Sequence, residues 1–133
     1  MSKERELFNA ALKVQKNAYA PYSNFLVGAA LRSSSGKIYT GCNVENIAYP
    51  EGTCAEAGAI ASMIAGGDRE IKELTVVADS SKPVAPCGGC RQKISEFGSS
   101  SIVISLATTS GDIISTSLGE LLPGAFDQSF MKL

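Results

Sequence analysis

The stretch ELTVVADSSKPVAPCGGCRQKISEFGSSSIVISLA, residues 73–107, decides the fold. Its ELTVVA (73–78) reads as a buried strand and its Pro-containing SSKPVAP (80–86) as a loop. CGGCRQKISEF (87–97) follows as a helix with Ile94 and Phe97 on one face, and SIVISLA (101–107) as a further strand. Toward the N-terminus, CAEAGAIASMIA predicts a helix from near Thr53 or Cys54 to a stop at Gly66 and Gly67. Before it, strand-like FLVGAAL (25–31) and KIYTGCN (37–43) are joined by turn-rich SSSGK (33–37), which makes a hairpin. Leu7, Ala11, Val14 and Ala18 recur at helical spacing until APYSN breaks the pattern, so a first helix should end near Asn17 to Tyr19. Toward the C-terminus, GDIIST (111–116) is a short strand after a turn, and LGELL (118–122) a last short helix before PGAF. Two strands followed by alternating helices and strands predict an α/β fold, a three-layer α/β/α arrangement around a central mixed β-sheet, with residues 1–133 as a single domain.

The composition narrows the class. A 44% hydrophobic and 19% charged chain is globular, and 133 residues suffice for one ordinary core. A net charge of −1 gives no electrostatic footprint for a nucleic acid polymer or an anionic membrane. The opening MSKERELFNA lacks the apolar run of a signal peptide, and no stretch approaches the roughly 18 apolar residues of a membrane span, so a cytoplasmic protein without a membrane partner is expected. In that compartment the four cysteines are expected to be reduced, metal-bound or catalytic rather than paired.

Cys87 and Cys90 lie three apart, on one side of a helix's first turn, a spacing that also fits a redox pair. Cys54 adds a thiol from a second helix start. Three protein ligands leave tetrahedral zinc one open position for water, the arrangement of a catalytic site. Cys42, in YTGCNVEN, would make a closed four-cysteine clip if it joined them, but strand alternation makes it an inward residue, and a free cysteine commonly behaves as a small buried hydrophobe. Three thiolates on one zinc leave a net −1, which two helix N-termini aimed at the metal can tolerate through their N–H groups and dipoles. Glu56, two residues after Cys54, can point at the open position and shuttle a proton between water and substrate. The chain has no histidine for that task. Without the cysteines, Glu56 would read as a helix-dipole partner in a first turn.

CAE at 54–56 followed by PCGGC at 86–90 resembles the zinc signature of nucleoside and nucleobase deaminases in its three-cysteine form, in which the glutamate is a general acid/base and not a ligand. PYSNFLVGAAL, GCNVENIAYP, PCGGCRQKISEF and ELLPGAF, in that order, are similar to stretches of the small cytidine deaminases over nearly the whole chain. The resemblance implies one zinc per chain on Cys54, Cys87 and Cys90, an activated water attacking C4 of a cytosine nucleoside, and Glu56 delivering protons to the ring nitrogen and the departing amine. It implies that Asn43 and Glu45 bind the ribose hydroxyls, that Phe25 and Ala55 line the base pocket, and that Phe126 reaches a neighbouring subunit's pocket in a homotetramer. By position alone Asn43 is a turn cap, Glu45 a solvated carboxylate, and Phe25 and Phe126 core aromatics. The chain departs from many small cytidine deaminases, which have arginine directly after the CAE glutamate; Ala57 and Gly58 follow here. Arg91, the one basic residue adjacent to a ligand, is therefore expected to offset the thiolate charge.

Two rivals share the motif. Deaminases of a cytosine-bearing antibiotic such as blasticidin S resemble the chain in length, CAE and PCxxCRQ, but are expected to lack the Asn43–Glu45 pair. A non-catalytic, zinc-stabilised interaction module would need a fourth ligand and no use for Glu56. Deamination of polynucleotides is disfavoured by the absence of basic stripes.

Overall fold

Residues 73–107 fold as the expected strand–helix–strand unit in a computed structural model that describes residues 3–131. The elements are α1 (Lys3–Gln15), β1 (Val27–Ser33), β2 (Ile38–Cys42), α2 (Ala55–Ala65), β3 (Ile71–Ala78), α3 (Gly88–Phe97), β4 (Gly98–Thr108), β5 (Ile113–Ser117) and α4 (Leu118–Leu121), with 3₁₀ turns at Tyr49–Glu51 and Gln128–Phe130. β3 and β4 pair in parallel, Glu73 opposite Val103 through Ala78 opposite Thr108, and α3 makes the crossover that parallel strands require. β1 pairs antiparallel with both β2 and β3, and β5 antiparallel with β4, giving a five-stranded mixed sheet in the order β2-β1-β3-β4-β5.

Side-chain alternation along these strands sorts the core into two layers. On one face α1 buries Leu7, Phe8 and Ala11 against Ala30, Val77 and Ala107. On the other, Ala55, Ala59 and Met63 of α2 and Ile94 of α3 pack on Ala29, Leu31, Leu74, Val76 and Ile104. β3, covered on both faces, is accordingly buried at every residue from Leu74 to Ala78.

Several boundaries differ from the pattern-based expectation, each for a local reason. α1 stops at Gln15 because the following chain is drawn toward the end of β2: Tyr19 donates its N–H to the Asn43 carbonyl at 2.9 Å and bridges Val44. β1 begins at Val27, not Phe25, because the Asn43 side chain takes the backbone groups that would start the strand. Cys42 is half-buried and faces the α1 layer. It sits opposite Gly28, whose own missing side chain leaves room for the backbone of Ala11 and Gln15. Its thiol thus lies across the sheet from α2 and α3.

Candidate active site

Two helix starts converge at the carboxyl ends of the parallel strands. Cys54 is the N-cap of α2 and Cys87 the N-cap of α3, both with extended backbone, and Cys90 lies in the first turn of α3. Cys54 is held by a short ladder: Val44 and Thr53 exchange N–H···O bonds of 3.0 and 2.9 Å, while Val44 also bridges Tyr19. α2 itself is seated deeply on β2, where a Cβ on Gly41 would fall 2.3 Å from the Ala59 nitrogen. α3 opens with the Arg91 N–H donating to the Cys87 carbonyl at 3.0 Å.

The three sulfurs of Cys54, Cys87 and Cys90 lie within 4.8 Å of one another, with the first two 4.0 Å apart. A tetrahedral zinc with bonds of about 2.3 Å spaces its sulfurs by about 3.8 Å, so the donor set fits that ion closely. Its electrostatics ask for a cation. Burial, then the charges of Glu56 and Cys54, push the Cys90 thiol far above its ordinary range, and burial also raises Cys54. Cys87 moves the other way, because the Cys90 backbone N–H favours its thiolate. Three sulfurs at this spacing can all be thiolates when a metal sits among them.

Glu56 is the second residue of α2 and only 4% exposed. Burial pushes its carboxyl up, opposed by its own backbone N–H, by the Cys90 thiol and by the charge of Lys93. It lines a cavity of about 350 Å³ together with Cys54, Cys87, Ala55, Phe25, Asn43 and Glu45. This volume lies within the usual range of small-molecule sites.

The structure therefore gathers the expected residues at one place, with two exceptions. Phe126 stands 62% exposed beside the outer face of α3, stacked on Phe130 at 5.8 Å, with its carbonyl accepting from Gln92 Nε2 at 2.9 Å. Arg91 does not contact a thiol. Its Nε donates to the Pro86 carbonyl and its second nitrogen to the Leu121 carbonyl, both at 2.8 Å, so the guanidinium ties the loop before Cys87 to α4. These acceptors are neutral, so the anchoring leaves the Arg91 charge in place one residue from Cys90.

Asn43 and Glu45 shape the cavity wall through the backbone. Asn43 accepts from the Val27 N–H and donates to the Phe25 carbonyl, both at 2.8 Å, fixing Phe25 at the rim. Glu45 accepts from the N–H groups of Tyr22 and Ser23 at 2.9 and 3.2 Å and from the Ser23 hydroxyl, which holds its carboxyl below the ordinary range. Sequence reasoning missed Tyr49, which lines this cavity and an adjoining groove of about 280 Å³ shared with Tyr22 and Ser23. Its only sequence signal is the adjacent Pro50, which stands in the 3₁₀ turn that Tyr49 opens.

Residues 1–106 match the family described as "Cytidine and deoxycytidylate deaminase zinc-binding region". The chain belongs to this deaminase family. Among curated deaminases, the cytidine deaminase of Sporosarcina psychrophila is 47% identical over 123 residues, 92% of this chain and 90% of that one. That of Halalkalibacterium halodurans is 41% identical and covers 95% of this chain and 96% of its own. The blasticidin-S deaminase of Bacillus cereus is more distant, 31% identical over 73% of this chain and 74% of that one. The crystal structure of the Burkholderia pseudomallei cytidine deaminase superposes with a TM-score of 0.89 at 44% identity, covering 95% of this chain and all of that one. The three-layer architecture with a mixed sheet is thus the deaminase fold, and within the matched zinc-binding region the three-cysteine group is one that could hold the metal ion.

Proposed function

We propose that the chain hydrolyses cytidine and deoxycytidine to uridine and deoxyuridine, releasing ammonia. The observation that carries this is Glu56, a buried carboxyl with a raised pKa, beside the three thiols at the floor of a cavity of nucleoside size. Cys54, Cys87 and Cys90 would hold a zinc ion, whose chemistry would be to activate a water for attack on C4 of the base. Glu56 would take one proton from that water and deliver it to the ring nitrogen, then take the second from the hydroxyl now on C4 and deliver it to the departing amine, so that water is consumed and ammonia leaves. A carboxyl raised by burial can both take and return a proton.

Phe25, fixed by Asn43, offers a ring face to the base at the rim, and Ala55, without a bulky side chain, leaves room above the floor. Asn43 and Glu45 read the ribose. Asn43 keeps one amide hydrogen beyond its two backbone bonds, and Glu45 is ionised and oriented by Ser23. Tyr22, Val44 and Tyr49, which line the cavity and its adjoining groove, are exposed, as are Tyr19 and Ile47 nearby in the chain, a quantity of apolar surface that favours burial against other copies. In a homotetramer Phe126 of one copy would close the pocket of another. No helix among the described residues is long and apolar enough to cross a membrane, and we place the protein in the cytoplasm, in pyrimidine salvage.

A panel of cytidine, deoxycytidine, cytosine, adenosine and blasticidin S, monitored by ammonia release, tests the assignment. Turnover is expected with the first two. Release from blasticidin S alone would overturn it in favour of the antibiotic deaminase.

A further inference from the structure

Phe25 lines the cavity from just outside the sheet, since β1 begins only at Val27. The backbone that carries its ring therefore lies beyond the ladder, and its polar groups need other partners. On the β2 side the Asn43 amide supplies them, through the Phe25 carbonyl and the Val27 N–H. Ladder alternation turns the carbonyl between them, that of Leu26, to the opposite side, toward β3. There β3 has run out. Its last pairing with β1 is Ala78 opposite Val27, and the Ala78 carbonyl accepts from the N–H groups of Ser80 and Thr109 at 3.1 and 3.2 Å.

The partner for Leu26 comes from α1, across the sheet from the cysteines. Gln15, the last residue of that helix, donates from Nε2 to the Leu26 carbonyl at 3.1 Å. Its side chain is only 6% exposed, on the face where α1 otherwise buries Leu7, Phe8 and Ala11. A long amide in such a place is costly unless it is hydrogen-bonded, and holding it still costs rotamer freedom as well. Gly28 permits the close approach: a Cβ there would stand 2.7 Å from the Gln15 Cβ and 2.2 Å from the Ala11 carbonyl oxygen. The end of α1 is thereby pressed onto the start of β1, with the amide aimed at the one carbonyl that neither neighbouring strand supports.

We propose that Gln15 is a positioning residue for substrate binding. From the far face of the sheet it fixes the Leu26 carbonyl and, with Asn43 on the β2 side, clamps the segment that presents Phe25 to the base. The proposal rests on Phe25 lining the base pocket. Gln15 itself lies outside the cavity lining, so it acts through Phe25 and not on the chemical step.

The test is the split between KM and kcat for cytidine in the purified, zinc-loaded full chain. Gln15→Met, similar in length but without a donor, is expected to raise KM roughly 3- to 10-fold, the range to which the net worth of one hydrogen bond converts, with kcat kept. A role in stability alone would instead lower the melting temperature and the active fraction, and leave KM as it is. Gln15→Lys, which returns a donor at a helix end where a cation is also favourable, should restore KM to near the wild-type value. Should Gln15→Met not fold, Gln15→Glu, of the same shape and without a donor, takes its place. Phe25→Leu should itself raise KM, and adding Gln15→Met to it should raise KM by less than about 2-fold more, because the ring that Gln15 positions is gone. An unchanged KM in the donor-less variant, an equal rise in Gln15→Lys, or effects of Gln15→Met and Phe25→Leu that simply multiply would overturn the role of Gln15 alone. A wild-type chain that does not turn over cytidine, or a Phe25→Leu chain with wild-type KM, would overturn the base-pocket reading and the proposal with it.

Discussion

Gly41 of β2 and Gly58 of α2 meet backbone to backbone: a Cβ on Gly41 would fall 2.6 Å from the Gly58 carbonyl carbon, and one on Gly58 would stand 3.3 Å from the Gly41 Cα. The contact sets the height of α2 above the sheet, and the helix carries Cys54 and Glu56 at its start. Gly41→Ala must therefore lift α2, because every atom it meets is backbone, at a cost of about 1–3 kcal/mol. We expect a lower melting temperature together with reduced zinc content, and a smaller loss of both for Gly58→Ala, whose contact is merely tight. Full zinc and wild-type melting for Gly41→Ala would contradict this account of how the site is positioned.

Arg91 holds the other helix start. Hydrogen bonds from a charged donor contribute about 1.5–3 kcal/mol each, and its two bonds end on the Pro86 and Leu121 carbonyls. Arg91→Ala should lower stability by about 3 kcal/mol in urea unfolding, the low end for two such bonds, and Arg91→Lys, which can reach one carbonyl at a time, should fall between. An Arg91→Ala chain as stable as wild type would mean that the loop before Cys87 is held by something else.

The cysteine set was legible in the sequence because its geometry is local. A cysteine at a helix N-cap and another three residues on are placed by the helix itself, and only the meeting of α2 and α3 depends on the rest of the chain. What was not legible depends on long-range pairing. Which way Cys42 faces follows from its register opposite Gly28, and alternation alone does not say which helix covers which face. The late start of β1 follows from the Asn43 amide, 16 residues beyond Val27, a competition between side chain and ladder that propensity does not encode. Arg91 was assigned by its adjacency to Cys90, yet a side chain that long reaches Leu121, 30 residues away.

Glu56→Gln keeps the shape of the side chain but cannot accept or return a proton. We expect unchanged zinc content and a loss of turnover of at least ~10² to 10⁴, the range for a general acid/base. Near-normal turnover in a zinc-loaded Glu56→Gln chain would remove Glu56 from the mechanism.

In the proposed site Glu45 reads the sugar while being held by the 22–23 backbone, so its removal should act on substrate choice. Glu45→Ala is expected to depress kcat/KM for cytidine more than for free cytosine, which lacks the hydroxyls. Ser23→Ala, which only loosens the carboxylate, should give a weaker version of the same discrimination. Equal losses on cytidine and cytosine would refute the assignment.

Asp68 gives a prediction in pH. One of its oxygens, Oδ2, accepts from Ser33 at 2.8 Å, Ser35 at 2.7 Å and Tyr39 at 2.8 Å, tying the β1–β2 hairpin to the connection between α2 and β3. The Ser35 hydroxyl, followed by those of Tyr39 and Ser33, holds the Asp68 carboxyl below its ordinary value. The folded state thus binds this proton less readily than the unfolded chain. The stabilisation is complete above the unfolded value of about 4 and is lost as pH falls through the lower folded one. Tyr39 behaves as the alkaline counterpart: its hydrogen bond to Asp68 raises the phenol, so that contribution is complete below about pH 10 and fades as pH rises through the raised value. Urea midpoints of wild type and Asp68→Asn should therefore differ by a constant amount between about pH 6 and 9, wild type being the more stable. The gap should narrow as pH drops through 4. A gap that persists unchanged at pH 3, or no gap at pH 7, would show that the Asp68 charge does not hold the hairpin in place.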